Sequence, residues 1–197
     1  MNFLAHLYFA DDTPEHLIGS ILPDFVSGQF EVHSKKLRAG MRLHVEIDKF
    51  TDQNEIFLRS QQRLGSEYRL LKGIIIDVFY DHFLAAGWTE YSHIPLEKFC
   101  EDVYSIFREN QSLLSPRLRK ALPHMQRDNW LLSYQRIDGI EIALRRISTR
   151  LSRRINLDES VTVLKQFYPD FKTDFQEFFP ELSDFVKNKK GAFNNGY

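Results

Sequence analysis

The sequence contains one cysteine, almost no net charge and no long apolar run. Cys100 alone cannot form an internal disulfide framework or a cluster of zinc-binding thiolates. No apolar stretch approaches the roughly 20 residues that cross a bilayer, and the first residues lack the basic and apolar regions of a signal peptide. The net charge of −1 excludes a generally basic nucleic-acid-binding protein. We therefore expect a cytoplasmic protein with no membrane or nucleic-acid partner.

Alternation of apolar and polar residues with period two is also absent, which argues against β-strands. Apolar residues instead recur with helical spacing along most of the chain, and 17 Phe and 8 Tyr indicate an aromatic-rich core. A length of 197 residues suits one domain. The sequence predicts an all-α, single-domain helical bundle of about seven to nine helices over residues 1–190, with a frayed tail at 191–197. It does not decide between a monomer and a homo-oligomer.

Proline, glycine and N-cap residues mark the predicted helix ends. Thr13 and Pro14 form a helix-start signal, with Thr as the N-cap and Pro at the first helical position. Gly65 ends a long helix that begins near Lys35 or Met41. We predict helices at residues 2–10, from 14 onwards, from 35 or 41 to 64, and at 67–87, 95–112, 116–125, 128–154, 158–167 and 170–188.

Two pairs of side chains that can bind metals are each spaced four residues apart. His44 and Asp48 form the first pair, and Asp77 and Asp81 form the second, with His82 next to it. Residues four apart project from one face of a helix, so the two segments can present carboxylates and imidazoles to one cavity. Ligands of this kind favour Mn²⁺, Mg²⁺, Fe²⁺ or a Zn²⁺ site without thiolates.

The second pair lies in the more apolar segment. Its neighbours from Ile74 to Ala85 are almost all apolar, so we expect this helix to be buried on nearly every side. A buried carboxylate is costly unless it is paired or bound to a metal. A divalent metal meets that requirement directly, and a salt bridge to Arg42 or Arg69 is the alternative.

The other candidate ligands have simpler explanations as well. The first pair also fits a solvated helix face. His6 lies in an apolar stretch, where a histidine is often a satisfied core residue. Asp24 follows Pro23 and also fits a turn or helix cap. His82 lies about 100° around the helix from Asp81, so it either faces the same cavity, orients a ligand or acts as an acid.

A basic face, which we call the arginine face, lies on the helix predicted at 128–154. Its members are Arg146, Arg150, Arg153 and Arg154. No acidic residue occurs between Leu144 and Ile155, whereas a solvated face more often mixes both charges. The pattern favours a surface for an anion such as phosphate, nucleic acid or an acidic protein. A basic helix end that complements the helix dipole is the alternative.

Five segments of the chain together resemble a known family. They are MNFLAHLYFA, IGSILPDFVSG, GMRLHVEIDKFTD, YRLLKGIIIDVFYDHFLAAGW and DNWLLSYQRIDGIEIALRRISTRL. The family is that of the acyl carrier protein phosphodiesterases, or acyl carrier protein hydrolases, which are distant relatives of the HD-domain phosphohydrolases. The resemblance implies an HD-domain-like fold and a role in fatty acid and lipid metabolism. The implied reaction is hydrolysis of the phosphodiester that joins 4′-phosphopantetheine to a serine of holo-acyl carrier protein.

The resemblance also implies a divalent metal, most often Mn²⁺, with Mg²⁺ and Fe²⁺ as alternatives, and an acidic protein substrate, acyl carrier protein. We predict site residues in four groups. The metal ligands are His44, Asp48, Asp77 and Asp81. The catalytic residues are His6, Asp24 and His82. The phosphate-binding residues are Arg42, Arg69 and Lys72, and the arginine face, Arg146, Arg150, Arg153 and Arg154, docks the carrier protein.

Two other functions fit the same residues. An HD-like nucleotide phosphohydrolase would use the same metal chemistry on a different substrate. A metal-free helical interaction module would hold Asp77 and Asp81 in salt bridges and would bind an anionic partner on the arginine face.

Overall fold

The computed structural model describes residues 1–26, 34–151 and 155–194, with side chains described up to Gly191. These residues form α-helices and short 3-10 helices without a β-strand, which confirms the all-α prediction. The α-helices are α1 (Phe3–Tyr8), α2 (Pro14–Gly19), α3 (Lys35–Gln53), α4 (Glu55–Gln62), α5 (Lys72–Ala86), α6 (Leu96–Glu109), α7 (Pro116–Arg127), α8 (Trp130–Ser133), α9 (Ile137–Ser148), α10 (Val161–Gln166) and α11 (Tyr168–Asn194). The 3-10 helices are Leu22–Phe25, Ser66–Leu71, Trp88–Glu90, Gln111–Leu113 and Leu157–Ser160. None of the helices described here is long and apolar enough to cross a membrane.

Helix α5 lies at the centre of an aromatic core. It contacts α1, α4, α9 and α11, and its residues from Val78 to Ala85 are all buried, as its apolar sequence predicts. The ring of Tyr80 on α5 lies 5.2 Å from the ring of Phe178 and 5.6 Å from that of Phe57. Because each large side chain contributes roughly 1.5–3 kcal/mol on full burial, this core fixes α5 rigidly between its neighbours.

The predicted long helix ending at residue 64 is two helices, because Asn54 interrupts it. The backbone of Asn54 is extended, with φ −75° and ψ 129°. Its side-chain oxygen accepts hydrogen bonds from the backbone N–H groups of Ile56 (2.9 Å) and Phe57 (3.3 Å). Asparagine is a favoured N-cap, so the same residue ends α3 and starts α4.

Replacing Asn54 with alanine is expected to lower the free energy of unfolding by about 1 kcal/mol, because the first turn of α4 loses its cap. Urea unfolding followed by circular dichroism measures the change. Gln53→Ala, at the exposed residue before it, is the matched control and should change stability by less than roughly 0.5 kcal/mol. Equal stability of the two variants would contradict the capping role.

Several other helix boundaries differ from the prediction. The segment predicted as one helix at 128–154 is broken between α8 and α9, and α9 ends at Ser148. Helix α7 runs through Pro123 to Arg127. Helix α11 runs through Pro180 to Asn194, past residue 191, where a frayed tail was predicted. Packing of the apolar face of α11 against the core outweighs the hydrogen bond that Pro180 removes.

Asp174 on α11 is a buried carboxylate with a structural role. Its two oxygens accept hydrogen bonds from Ser60 (2.6 Å), from Arg59 (2.8 Å) and from Arg63, all on or next to α4. A buried charge that is fully paired is stable, whereas removal of one partner is costly. The Asp174 network therefore joins α4 to α11 and needs no ligand to explain it.

Helices α2 and α3 cross at two glycines, Gly19 and Gly40. A Cβ atom on Gly40 would lie 2.2 Å from the carbonyl oxygen of His16, and one on Gly19 would lie 2.3 Å from the carbonyl oxygen of Leu37. The two backbones therefore touch directly. This crossing places Ser20, at the end of α2, beside the middle of α3.

Candidate metal centre

Two helices bring His6, His44 and Asp48 together. His6 lies on α1, while His44 and Asp48 lie one turn apart on α3. One potential ligand atom from each of the three side chains lies within 4.8 Å of the others. Within the described parts of the chain this is the one such group of three His, Cys, Asp or Glu residues. We call it the His6–His44–Asp48 cluster.

The orientation of His44 is fixed by the backbone of α2. Its Nδ1 lies 2.7 Å from the carbonyl oxygen of Ser20, which can only accept, so Nδ1 donates. Its Nε2 then faces Asp48 Oδ2 at 3.1 Å and Asp24 Oδ1 at 3.8 Å. A nitrogen lone pair that faces two carboxylates requires a cation between them, which is either a proton or a metal. A histidine anchored through its other nitrogen is the usual arrangement in metal sites.

His6 approaches the same carboxylate from the other side. Its Nε2 lies 3.2 Å from Asp48 Oδ1 and 3.0 Å from the carbonyl oxygen of Met1. The rings of His6 and His44 stack with their centroids 3.8 Å apart and their planes 16° apart. The Nδ1 of His6 is buried without a hydrogen-bond partner. Two stacked imidazoles thus turn their Nε2 atoms toward one carboxylate.

Burial and mutual contact shift the pKa values of His6, Asp48 and His44. Burial and the neighbouring His44 lower the pKa of His6 to about 3, so His6 is neutral near pH 7. Burial raises the pKa of Asp48, but the two imidazoles outweigh it and hold that pKa well below its usual range. Burial lowers the pKa of His44, but Asp48 and Asp24 outweigh it and raise that pKa. Metal binding would displace the His44 proton, so metal affinity should fall at low pH.

Asp77 lies beside the cluster and is paired with an amino group. Its Oδ1 is 2.8 Å from the amino nitrogen of Met1, which is also 3.5 Å from Asp48 Oδ1. Burial raises the pKa of Asp77 to about 6. Burial lowers the pKa of the amino group, but Asp77 and Asp48 outweigh it and bring that pKa to about 10. Asp77 therefore shares one positive charge with Asp48.

Asp81, the other predicted ligand on α5, lies apart from the cluster, and both of its oxygens bind the N-terminus of α1. Oδ2 accepts a hydrogen bond from the backbone N–H of Leu4 (2.7 Å), and Oδ1 accepts one from Ala5 (3.2 Å). A carboxylate at this position satisfies N–H groups that have no partner within the helix. Asp81 thereby fixes α1, and with it His6, to α5. It is not brought into the cluster.

The pH dependence of stability is expected to report on Asp81. Burial raises the pKa of Asp81 from 3.8 to about 7 in the folded protein. Between about pH 4 and pH 7 the unfolded chain loses this proton while the folded chain keeps it. The stability contribution is therefore complete below pH 4 and falls as the pH rises toward 7, by roughly 4 kcal/mol at 1.4 kcal/mol per pKa unit.

Metal-free urea unfolding of the wild type and of Asp81→Asn at several pH values tests this. The wild type should lose stability relative to Asp81→Asn as the pH rises from 4 to 7. Asp170→Asn, at an exposed position on α11, is the control for removal of a surface carboxylate. A constant difference between the wild type and Asp81→Asn over this range would show that Asp81 is ionised throughout.

Residues 1–182 match a family model described as acyl carrier protein phosphodiesterase. The chain belongs to this family. Relatives called acyl carrier protein phosphodiesterase include one from Pectobacterium atrosepticum, which is 29% identical over 96% of this chain and 100% of its own length. Another, from Photorhabdus laumondii, is 29% identical over 96% of both chains, and one from Escherichia coli is 30% identical over 96% of this chain and 99% of its own. No solved structure matches the sequence.

Some of the predicted site residues lie outside the His6–His44–Asp48 cluster. His82 lies in the core with both ring nitrogens engaged. Its Nδ1 is 2.8 Å from the carbonyl oxygen of Tyr134, and its Nε2 is 2.9 Å from the hydroxyl of Tyr168. Because the carbonyl only accepts, Nδ1 donates and the Tyr168 hydroxyl donates to Nε2. His82 thus joins α5 to α8 and α11.

The three predicted phosphate-binding residues are also placed elsewhere. Lys72 donates a hydrogen bond of 2.6 Å to the carbonyl oxygen of Leu64, just after α4. Arg42 lines a groove on the outer side of α3 that Lys189 also lines. Arg69 is exposed in the 3-10 helix at 66–71, where its φ is 43°. Among the described residues, none of the three makes a hydrogen bond or ion pair with His6, His44 or Asp48.

The structure has a cavity of about 570 Å³ whose lining includes Phe25, the residue after Asp24. It lies between α7 and α9, and its lining residues are Phe25, Arg117, Lys120, Ala121, His124, Arg127, Asp128, Trp130, Arg146, Thr149 and Arg150. Arg146 and Arg150 of the arginine face are among them, while Arg153 and Arg154 lie outside the described residues. Burial raises the pKa of Asp24, and the charges of His44 and Arg150 partly offset that effect. Asp24 is next in sequence to Phe25 of this lining, and its Oδ1 lies 3.8 Å from His44 Nε2, so Asp24 is near both the cavity and the cluster.

The predicted site did not include α7, although a signal was present. No acidic residue occurs from Asn110 to Arg127, a stretch that holds four Lys or Arg residues. This is the same pattern that identified the arginine face. An acid-free basic helix is weak evidence alone, and only the structure shows that α7 faces α9 across the cavity.

Proposed function

We propose that this protein is a metal-dependent phosphodiesterase that hydrolyses the bond between 4′-phosphopantetheine and serine in holo-acyl carrier protein, releasing apo-acyl carrier protein. The convergence of His6, His44 and Asp48 within 4.8 Å is the observation that carries the proposal. The names of relatives that are 29–30% identical over nearly the whole chain support the choice of substrate.

The donor set of the cluster fits a divalent metal. His6, His44 and Asp48 would hold the ion, and Asp24 and Asp77 lie beside them. Imidazole together with carboxylate suits Mn²⁺ or Fe²⁺ better than Mg²⁺, which prefers all-oxygen ligands. When bound, such an ion lowers the pKa of water and polarises a phosphoryl oxygen.

Two further residues would assist the reaction. One would donate a proton to the leaving serine oxygen, and the other would neutralise the negative charge of the phosphate. Asp24 has a pKa raised by burial, its Oδ1 lies 3.8 Å from His44 Nε2, and its sequence neighbour Phe25 lines the cavity. It is therefore the carboxyl that we place to protonate the leaving serine oxygen. General acid catalysis of this kind typically contributes about 10²- to 10⁴-fold. Arg150 of the cavity lining, whose charge lowers the pKa of Asp24, would neutralise a phosphate oxygen. His82 is not given this role, because both of its nitrogens are already bonded.

Incubation of the purified protein with holo-acyl carrier protein and Mn²⁺ tests the proposal. Mass spectrometry should show loss of phosphopantetheine from the carrier protein, and a chelator should abolish that loss. Metal analysis of protein purified without chelator should show a bound divalent ion.

The same experiment separates the alternatives. Hydrolysis of members of a nucleotide panel, with holo-acyl carrier protein left intact, would favour a nucleotide phosphohydrolase. Absence of bound metal, together with no shift of the melting temperature on addition of Mn²⁺, would favour a metal-free interaction module and overturn the proposal.

A further inference from the structure

The cavity between α7 and α9 is strongly cationic. Arg117, Lys120 and Arg127 on α7 line one side, and Arg146 and Arg150 line the other. The lining contains a single acidic residue, Asp128. Five fixed positive charges around one opening create a positive potential that attracts acidic partners.

Asp128 does not neutralise the whole cavity, because it is already paired. It accepts a hydrogen bond of 2.8 Å from Arg127 Nε and one of 3.0 Å from Arg146 Nη2. Arg117, Lys120 and Arg150 are exposed, and within the described parts of the chain they have no ion-pair partner. These three side chains are therefore available to an external anion.

The floor of the cavity is fixed by Trp130. The guanidinium carbon of Arg146 lies 4.4 Å from the centroid of the Trp130 ring, an arrangement that favours a cation over an aromatic face. An aromatic side chain that holds a guanidinium over its face gives the cavity a fixed wall, which is a feature of binding sites.

The basic residues of α7 lie on two different faces of the helix. Arg117 and Lys120, three residues apart, share the face toward the cavity. Arg119 points away and donates hydrogen bonds to the carbonyl oxygens of Gln111 (3.1 Å) and Leu114 (3.2 Å). The cavity is thus a two-sided cationic surface. Phe25 of its lining is next in sequence to Asp24, whose Oδ1 lies 3.8 Å from His44 Nε2, and this part of the lining is the Asp24 end of the cavity.

We infer that α7 forms half of the docking surface for the acidic carrier protein, with Arg117 and Lys120 binding its carboxylates while its modified serine lies at the Asp24 end. This inference rests on the proposed function and names the surface that its protein substrate uses. The position of Arg117 and Lys120 favours a protein, because their charges extend the cationic surface along the exposed side of α7, beyond the single phosphate that Arg150 can bind.

The double variant Arg117→Glu with Lys120→Glu tests the surface. For holo-acyl carrier protein with Mn²⁺, KM should rise roughly tenfold or more, because attraction becomes repulsion, while kcat stays within about twofold. Hydrolysis of bis(4-nitrophenyl) phosphate, which is too small to reach both helices, should be unchanged. Lys165→Glu with Lys187→Glu, at exposed positions on α10 and α11, makes the same change of charge and should leave both activities unaltered.

The possible outcomes test the docking surface and the proposed function separately. If the wild type hydrolyses holo-acyl carrier protein and the α7 double variant has the same KM, the docking surface is wrong and the proposed function stands. If the wild type does not act on the carrier protein at all, the proposed function fails first. Equal loss on the protein and on the small diester would also overturn docking. If the melting temperature of the double variant is well below that of the wild type, the single variants Arg117→Gln and Lys120→Gln replace it. They introduce no repulsive charge, and each should raise KM by a smaller factor.

Discussion

Asp48→Asn is expected to abolish high-affinity metal binding and to lower phosphodiesterase activity by roughly 10³-fold or more. Asp48 is the carboxylate that both imidazoles of the cluster approach, at 3.1 Å from His44 and 3.2 Å from His6. The amide keeps the size of the side chain but carries no charge and can present only one oxygen. Because loss of a residue that merely orients a ligand already costs about 10- to 100-fold in affinity or activity, loss of the central carboxylate should cost more.

Two measurements check this expectation. Titration of Mn²⁺ into chelator-treated protein reports affinity directly, and release of phosphopantetheine from the carrier protein reports activity. Excess Mn²⁺ should restore only part of the activity, since the site itself is altered.

The neighbouring Asp52 provides the matched control. It lies on the same helix one turn further along and is exposed. Asp52→Asn removes the same charge and should retain metal affinity and activity within about twofold. If Asp48→Asn behaved like Asp52→Asn, the His6–His44–Asp48 cluster would not be the metal centre.

Gly40→Ala is expected to destabilise the protein by roughly 3 kcal/mol or more and to weaken metal binding as well. The added Cβ would lie 2.2 Å from the carbonyl oxygen of His16 and 2.9 Å from the backbone nitrogen of Ser20. Both are backbone atoms that cannot rotate away, so α2 and α3 must separate. Overpacking usually costs about 1–3 kcal/mol, and a clash between two backbones lies at the upper end.

The effect on the metal follows from the hydrogen bond between His44 and Ser20. Separation of the helices would move the carbonyl oxygen that lies 2.7 Å from His44 Nδ1 and would release the imidazole from its orientation. Thermal unfolding measures the stability, and Mn²⁺ titration at a temperature where the variant is folded measures affinity.

Gly73→Ala is the control for this substitution. Gly73 lies at the start of α5, and the nearest atom to a Cβ there is Gln61 Nε2 at 3.7 Å. Alanine favours helix over glycine, so stability should stay the same or rise by up to about 1 kcal/mol. A Gly40→Ala variant as stable as Gly73→Ala would show that α2 and α3 are free to move apart.

Local patterns in the sequence predicted most of the helices and two members of the candidate site. The apolar run around Asp77 predicted a helix buried on nearly every side, and α5 is that helix. The spacing of His44 and Asp48 placed them on one face of α3, since residues four apart always meet on a helix. The break at Asn54 was missed, because a single N-cap inside a long apolar periodicity is a weak local signal.

The sequence by itself determined the all-α class, the buried α5 and the pairing of His44 with Asp48, because each depends on neighbours within a few residues. Only the tertiary structure decided which of the candidate side chains converge. It brought His6 across from α1, assigned both oxygens of Asp81 to the backbone of that helix, and placed α7 opposite α9. Such outcomes depend on how helices distant in the chain pack, since contacts between residues far apart in sequence leave no periodic trace.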